Sequence, residues 1–299
     1  MTGGSEAGSV SVLATHIARA ARMTVLTGAG VSAASGIPTF RGVGGLWRHY
    51  RAEDLATPDA FQRDPRLVWE WYESRRAIVA SAQPNDAHRV LADWSRHRRC
   101  TVITQNVDDL HLRAGTERLI RLHGSLWELR CTGQTLDNGA DASGEGRPGL
   151  SGPGGSGPGR LGPGERRPGP LGAGERRPGP LGPGRCPDPW RDERVPLDLP
   201  PHCPQCGALA RPGVVWFGEA LPERAIAAAV DATRCDLFIA IGTSALVYPA
   251  AGLVQEARRA GAVTAEINAE ATPASASVDI ALIGAAEQML PQLNLLLAR

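Results

Sequence analysis

Glycines 28 and 30, in the run Thr27-Gly28-Ala29-Gly30-Val31-Ser32, stand where an apolar stretch ends. Backbone amides in such a turn can hold phosphate oxygens, and the same glycines are also what a plain tight turn requires. Three more polar runs end apolar stretches: Gln105-Asn106-Val107-Asp108, Gly242-Thr243-Ser244 and Asn268-Ala269-Glu270. Thr243 and Ser244 offer hydroxyls to a phosphate. Asn268 and Glu270 suit hydroxyl groups of a ligand or, alternatively, the capping of a helix. His123 carries an imidazole that titrates near neutral pH, a proton acceptor at a ligand and an ordinary structural side chain elsewhere. One polar run would mean little. Together they suggest one large polar ligand lying along a single edge of the fold.

The elements that must position these residues are readable from hydropathy. Met23–Thr27 reads as a buried strand, as do the mainly apolar segments 101–104, 236–241 and 262–267, and a short one at 278–283 precedes an amphipathic helix that runs to the C-terminus. Helical spacing appears at Val12, Ile17 and Ala20 and again over 250–260. Continuous apolar strands alternating with helices predict an α/β fold, a parallel sheet covered on both faces. In such sheets ligands bind at the carboxyl edge, which is where all four polar runs fall.

Composition agrees with a globular core and one unusual insert. Of 299 residues, 42% are hydrophobic and 21% charged, ordinary for a soluble chain. Glycine and proline concentrate in residues 139–185, where 17 Gly and 9 Pro occur in 47 positions and 161–170 recurs almost unchanged as 171–180. That insert has too few apolar residues to offset the entropy of ordering, so disorder is expected there. All 32 basic residues are Arg, and the formal charge of +1 provides no field that would draw in nucleic acid or a membrane. Neither a basic, apolar leader nor an 18-residue apolar span is visible, which predicts a cytoplasmic chain. Six cysteines in such a chain suggest thiols or a metal site in place of a disulfide framework.

The run from Gly28 to Gly42, Gly-Ala-Gly-Val-Ser-Ala-Ala-Ser-Gly-Ile-Pro-Thr-Phe-Arg-Gly, resembles the first NAD-binding motif of the sirtuins, the NAD-dependent protein lysine deacylases. With Ala33 where the common dinucleotide fingerprint has its third glycine, it is not the ordinary Rossmann turn. Gln105–Asp108, Leu122-His123-Gly124, Gly242–Ser244 and Asn268–Glu270 then match the remaining sirtuin motifs in order. The likeness spans about 13–297 apart from the repeat.

The resemblance implies a set of roles. Gly28, Ala29, Gly30, Ser32, Gly242, Thr243 and Ser244 would surround the phosphates, Asn268, Ala269 and Glu270 the adenosine ribose, and Ala285 and Ala286 the adenine. Gln105, Asn106, Val107 and Asp108 would lie at the nicotinamide end, with Phe40, Arg41 and Trp47 on a loop over it. His123 would be the general base, and Val215, Phe217, Gly218 and Glu219 would pair with the extended substrate by strand addition. In that chemistry the acyl oxygen displaces nicotinamide, and a ribose hydroxyl deprotonated by His123 then takes over the acyl group. The products are free lysine, nicotinamide and O-acyl-ADP-ribose.

Tyr72 and Arg75 lie i,i+3 on a helix, so both project from one face. Alone they would read as a half-buried Tyr and an exposed Arg. The pair resembles the Tyr-x-x-Arg signature of class III sirtuins, which implies binding of a succinyl or malonyl carboxylate. Sirtuins also carry a structural zinc on two Cys pairs. Cys203 and Cys206 fit the second pair, but Gln134 stands where Cys131 should have its partner. Cys186, beyond the repeat, is the candidate fourth ligand, because loop length adds little closure entropy.

The expected organisation is a Rossmann-like NAD lobe (10–42, 98–123 and 215–299), a helical insertion (43–97) and a Cys-containing module (124–214). Its partners would be acyl-lysine proteins. The alternatives are a deacetylase without acidic preference, a mono-ADP-ribosyltransferase, and an NAD-sensing module whose repeat recruits a partner.

Overall fold

The computed structural model describes residues 3–38, 46–47, 50–133, 186, 189–243 and 250–298. The repeat at 139–185 lies outside them, as do Gln134, Phe40, Arg41, Ser244 and the side chain of Trp47.

Six parallel strands form the main sheet, in the order Ile280–Ile283, Val263–Asn268, Leu237–Ile241, Met23–Thr27, Cys100–Thr104 and Leu119–Arg121. Strand order reverses between Met23–Thr27 and Leu237–Ile241, the doubly wound arrangement with its ligand crevice at the reversal. These two central strands are buried at every residue, the Thr24 hydroxyl donating to the Ala232 carbonyl, whereas the edge strand Ile280–Ile283 alternates buried and exposed. Leu119–Arg121 is an edge strand without an apolar run, and hydropathy did not mark it as part of the sheet.

One face of the sheet is covered by helices Gly3–Arg19, Asp86–His97 and Ala286–Leu297, whose Leu13, Ile17, Leu91, Trp94, Leu290 and Leu293 bury against Val25, Val102 and Ile239. Helices Glu223–Ala232 and Gly252–Arg259 cover the other face, around Phe238 and Ala240. The expected boundary of the helical insertion at 97 needs correction. Asp86–His97 packs on the large sheet and against the C-terminal helix, so the insertion ends near residue 85. The reason is in its own face: Ala87, Val90, Leu91 and Trp94 recur at helical spacing and are all buried there.

A second core lies beside the sheet. Helix Pro65–Ser81 packs on an antiparallel three-stranded sheet of Trp190–Arg191, Gly124–Cys131 and Ala210–Val214. Trp69, Trp71, Tyr72, Phe61, Trp127 and Trp216 fill this core. Arg76, fully buried, fastens the helix to the sheet by donating to the carbonyls of Leu126, Asp192 and Arg194 and lying over the Trp127 ring. No helix among the described residues is long and apolar enough to cross a membrane.

Candidate active site

Between the main sheet and the smaller lobe lies a cleft of about 720 Å³. It is lined by Gly28, Ala29 and Gly30 from the first turn, Gln105, Asn106 and Val107 from the second, and Gly242 and Thr243 from the third. Asn268, Ala269, Glu270, Ala285 and Ala286 close one end, and Tyr72, Arg75, Val215, Phe217, Gly218 and Glu219 face in from the small lobe. His123 lies on its wall between them. Among the expected cleft residues, Ser32 and Asp108 are buried behind the lining, and Phe40, Arg41, Ser244 and the Trp47 side chain fall outside the described residues.

At the strand-order reversal two loops touch. Gly30 N donates to Gly242 O at 2.8 Å, and a Cβ on Gly30 would meet Gly242 Cα at 2.8 Å. Gly242 sits at φ +60, with Val31 N only 2.4 Å from where its own Cβ would be. Both glycines are thus demanded by backbone approach. The turn continues as a 3-10 helix, Ala29–Ser35, rather than the α-helix of the common fingerprint.

Behind the turn a polar chain runs inward. Asn106 Nδ2 donates to Gly28 O at 3.0 Å and to Ser32 Oγ at 3.2 Å, and Ser32 Oγ donates to Asp108 Oδ2 at 2.7 Å. Asp108 Oδ1 accepts from Leu110 N. Burial pushes the Asp108 carboxyl up from its ordinary value, and the Ser32 hydroxyl and Leu110 amide pull it back. Because Asn106 spends its amide hydrogens on acceptors, its carbonyl oxygen is the end left for a ligand.

His123 follows the edge strand Leu119–Arg121, and its Nδ1 lies 2.8 Å from the Gln105 carbonyl oxygen. A carbonyl can only accept, so the proton sits on Nδ1 and Nε2 keeps its lone pair. Burial lowers the imidazole pKa, and the Gln105 carbonyl partly opposes it. A neutral ring with a free acceptor is what a general base needs.

In the small lobe Tyr72 is buried, and its hydroxyl accepts from Trp216 Nε1 at 2.9 Å. Trp216 is itself held: Arg211 stacks over its ring at 3.5 Å, and its backbone N donates to Glu219 Oε2 at 2.9 Å. Burial pushes the Tyr72 hydroxyl pKa up, which keeps it a donor. Arg75 lies over Trp71 at 5.2 Å, and burial lowers its pKa while the Tyr72 and Asp108 oxygens oppose the shift. Sequence alone did not single out Trp216 or Ser32's link to Asp108, because both depend on partners 76 or more positions away.

Cys131, Cys186, Cys203 and Cys206 converge, their Sγ atoms all within 4.8 Å of one another. Cys131 and Cys206 are 3.4 Å apart and Cys203 and Cys186 3.7 Å. Four thiolates at about 2.3 Å from a tetrahedral zinc lie roughly 3.8 Å from each other, so this donor set fits the metal. The ion would tie the strand end at Cys131 to the Cys203–Cys206 knuckle and would take no part in the chemistry of the cleft. Metal analysis should find one zinc per chain, lost with Cys186→Ser along with several degrees of melting temperature, since structural zinc contributes folding energy directly. A full zinc content in that variant would remove Cys186 from the site.

Three comparisons with known proteins agree with this geometry. The family model described as "Sir2 family" matches residues 28–147 and 181–249. The chain is 42% identical over 270 residues to "NAD-dependent protein deacylase sirtuin-5, mitochondrial" of Canis lupus familiaris, covering 86% of this chain and 76% of that protein. It is 39% identical to "NAD-dependent protein deacylase" of Aquifex aeolicus, with 86% and 87% covered. The crystal structure of a Sir2 homolog–NAD complex superposes with TM-score 0.74 at 38% identity, over 96% of this chain and 94% of that one. With the reversal-point glycines, the deep polar chain and the imidazole on one cleft, these matches establish that the chain belongs to the Sir2 family of NAD-dependent protein deacylases.

Proposed function

We propose that this sirtuin removes acidic acyl groups, succinyl or malonyl, from protein lysines and consumes NAD in doing so. The observation that carries the acyl preference is the pairing of Tyr72 and Arg75 on one wall of the cleft, with the Tyr72 acceptor lone pair already engaged by Trp216. Its hydroxyl proton is then left to donate to a ligand oxygen. A carboxylate entering an apolar pocket is costly unless charge-assisted hydrogen bonds meet it, and a guanidinium with a phenol supplies them.

NAD brings an electrophilic ribose carbon and nicotinamide as the leaving group. The residues of this chain do the rest. The Ala29 amide, in a turn whose Gly28 and Gly30 amides are spent on the Ile241 and Gly242 carbonyls, and the Thr243 hydroxyl take the phosphates, and Asn268 takes the adenosine ribose. Asn106, held by Ser32 and Gly28, presents its carbonyl oxygen to the nicotinamide carboxamide, with Asp108 fixing Ser32 from behind. His123 Nε2 accepts the ribose hydroxyl proton, its ring held by the Gln105 carbonyl. Val215 and Phe217–Glu219 lay the substrate backbone in the cleft mouth. The relatives' names support the deacylase reading, and two of those relatives are called sirtuin-5.

Mass spectrometry of succinyl-, malonyl- and acetyl-lysine peptides incubated with NAD tests this directly. Acidic acyl groups should turn over faster than acetyl, with matching nicotinamide release. Equal rates would leave a deacylase without acidic preference. Nicotinamide release without free lysine would point to ADP-ribosyl transfer instead.

A further inference from the structure

Glu266 is 1% exposed and lies in the strand Val263–Asn268, two residues before Asn268 and so on the same face. Its carboxylate accepts three hydrogen bonds: from Asn268 Nδ2 at 2.6 Å and Thr272 Oγ1 at 2.5 Å on Oε1, and from Ser275 Oγ at 2.5 Å on Oε2. Asn268 Nδ2 also donates to Thr243 O at 3.0 Å. Both acceptors around that nitrogen lack hydrogens to give, so the amide has one allowed orientation. The Asn268 carbonyl oxygen is thereby the end left for a ligand in the cleft that Asn268 lines. Ala271, Thr272 and Pro273 line the same end. Their loop is tied down at its far end by Asp279, whose Oδ2 accepts from Thr264 N and Oγ1 at 2.8 Å each, and in its middle by Glu266.

We infer that Glu266 is the positioning residue for the adenosine half of the cleft: it fixes the Asn268 amide as a hydrogen-bond acceptor and holds the Thr272–Ser275 loop beside it. The ligand it selects is a ribose hydroxyl, which must donate to that carbonyl oxygen. Glu266 touches neither the acyl group nor the nicotinamide end. The inference rests on the reading that the adenosine ribose lies against Asn268.

The test compares NAD with NAD analogues lacking the adenosine 2′- or 3′-hydroxyl, in native enzyme and in Glu266→Gln. An amide at 266 keeps one acceptor oxygen but sets a donor nitrogen where Asn268 Nδ2 and Thr272, or Ser275, found a carboxylate oxygen, so the Asn268 orientation is enforced less strongly, with the Thr243 carbonyl as its one unchanged acceptor. Native enzyme should lose about tenfold in kcat/KM with one deoxy analogue, the scale of one hydrogen bond to a ligand. Glu266→Gln should raise KM for NAD by about tenfold, leave kcat within about twofold, and no longer distinguish NAD from that analogue. A variant that keeps the native KM, or keeps the native discrimination, overturns the role of Glu266 while the ribose placement stands. Native enzyme indifferent to both analogues overturns the ribose placement and the inference with it. If Glu266→Gln does not fold, Glu266→Asp withdraws the carboxylate by one methylene and is read by the same two measures.

Discussion

His123→Ala is expected to lower deacylation by about 100-fold or more, the usual contribution of a positioned general base, while NAD still binds. Binding should survive because the end of the cleft proposed for the cofactor is lined by other elements: the Gly28–Gly30 turn, Gly242–Thr243 and Asn268. The native pH profile is a second part of the same prediction. Burial lowers the His123 pKa, so the ring stays neutral and able to accept a proton below the ordinary imidazole value of about 6.5. The acid limb of kcat/KM should therefore fall below that value, where protonation finally removes the base. His123→Ala should lack this limb. Turnover unchanged in His123→Ala, or an acid limb that survives it, would take the proton from another group.

The sheet and its ligand edge were legible in the sequence because each depends on local pattern. Residues 237–241 are an unbroken apolar run and Met23–Thr27 departs from one only by two threonines, and a strand buried on both faces needs little else. Leu119–Arg121 was harder: it is a three-residue edge strand, half-buried throughout, and its place comes from pairing with Cys100–Thr104. The helix Asp86–His97 carried a readable apolar face, but periodicity tells which side is buried and not against what. Cys186 illustrates the reverse case. Its chemistry singled it out from across the repeat, and the fold brings it to the other three thiols. Arg75 and Arg76 show the limit most plainly. As sequence they are the same residue type side by side, separated only by the resemblance to a signature. In the fold one lines the cleft and the other is sunk among carbonyls 50 and more positions away. Glu266 escaped notice for the same reason, since an acidic residue in an apolar strand announces burial with partners but not which ones.

That adjacency makes Arg75→Met a sharp test of acyl choice. Methionine keeps much of the stem's bulk and removes the guanidinium fork together with its contact over the Trp71 ring. A succinyl carboxylate would then enter the pocket with only the Tyr72 hydroxyl to meet it. Desuccinylation should drop by roughly 2–5 kcal/mol in transition-state terms, the range for truncating one partner of a buried, hydrogen-bonded charge pair, and chiefly through KM. Acetyl-lysine has no carboxylate to lose a partner, so deacetylation should change far less, and the ratio of the two rates is the quantity to measure. Tyr72→Phe should move the ratio in the same direction by a smaller step, because it removes one neutral donor where Arg75 supplies charge. Trp216→Phe sets the internal control: it keeps a ring for Arg211 and Phe61 to pack on but releases the Tyr72 hydroxyl. Arg76→Met is the opposite control. Its loss strands three carbonyls and the Glu73 carboxylate in the small-lobe core, so both activities and the melting temperature should fall together. If Arg75→Met behaves like Arg76→Met, lowering both deacylations equally, then Arg75 supports the fold and the acidic-acyl reading is wrong. A changed ratio with an unchanged melting temperature, larger for Arg75→Met than for Trp216→Phe, which acts through the Tyr72 hydroxyl, supports Arg75 as the side chain that meets the acyl group.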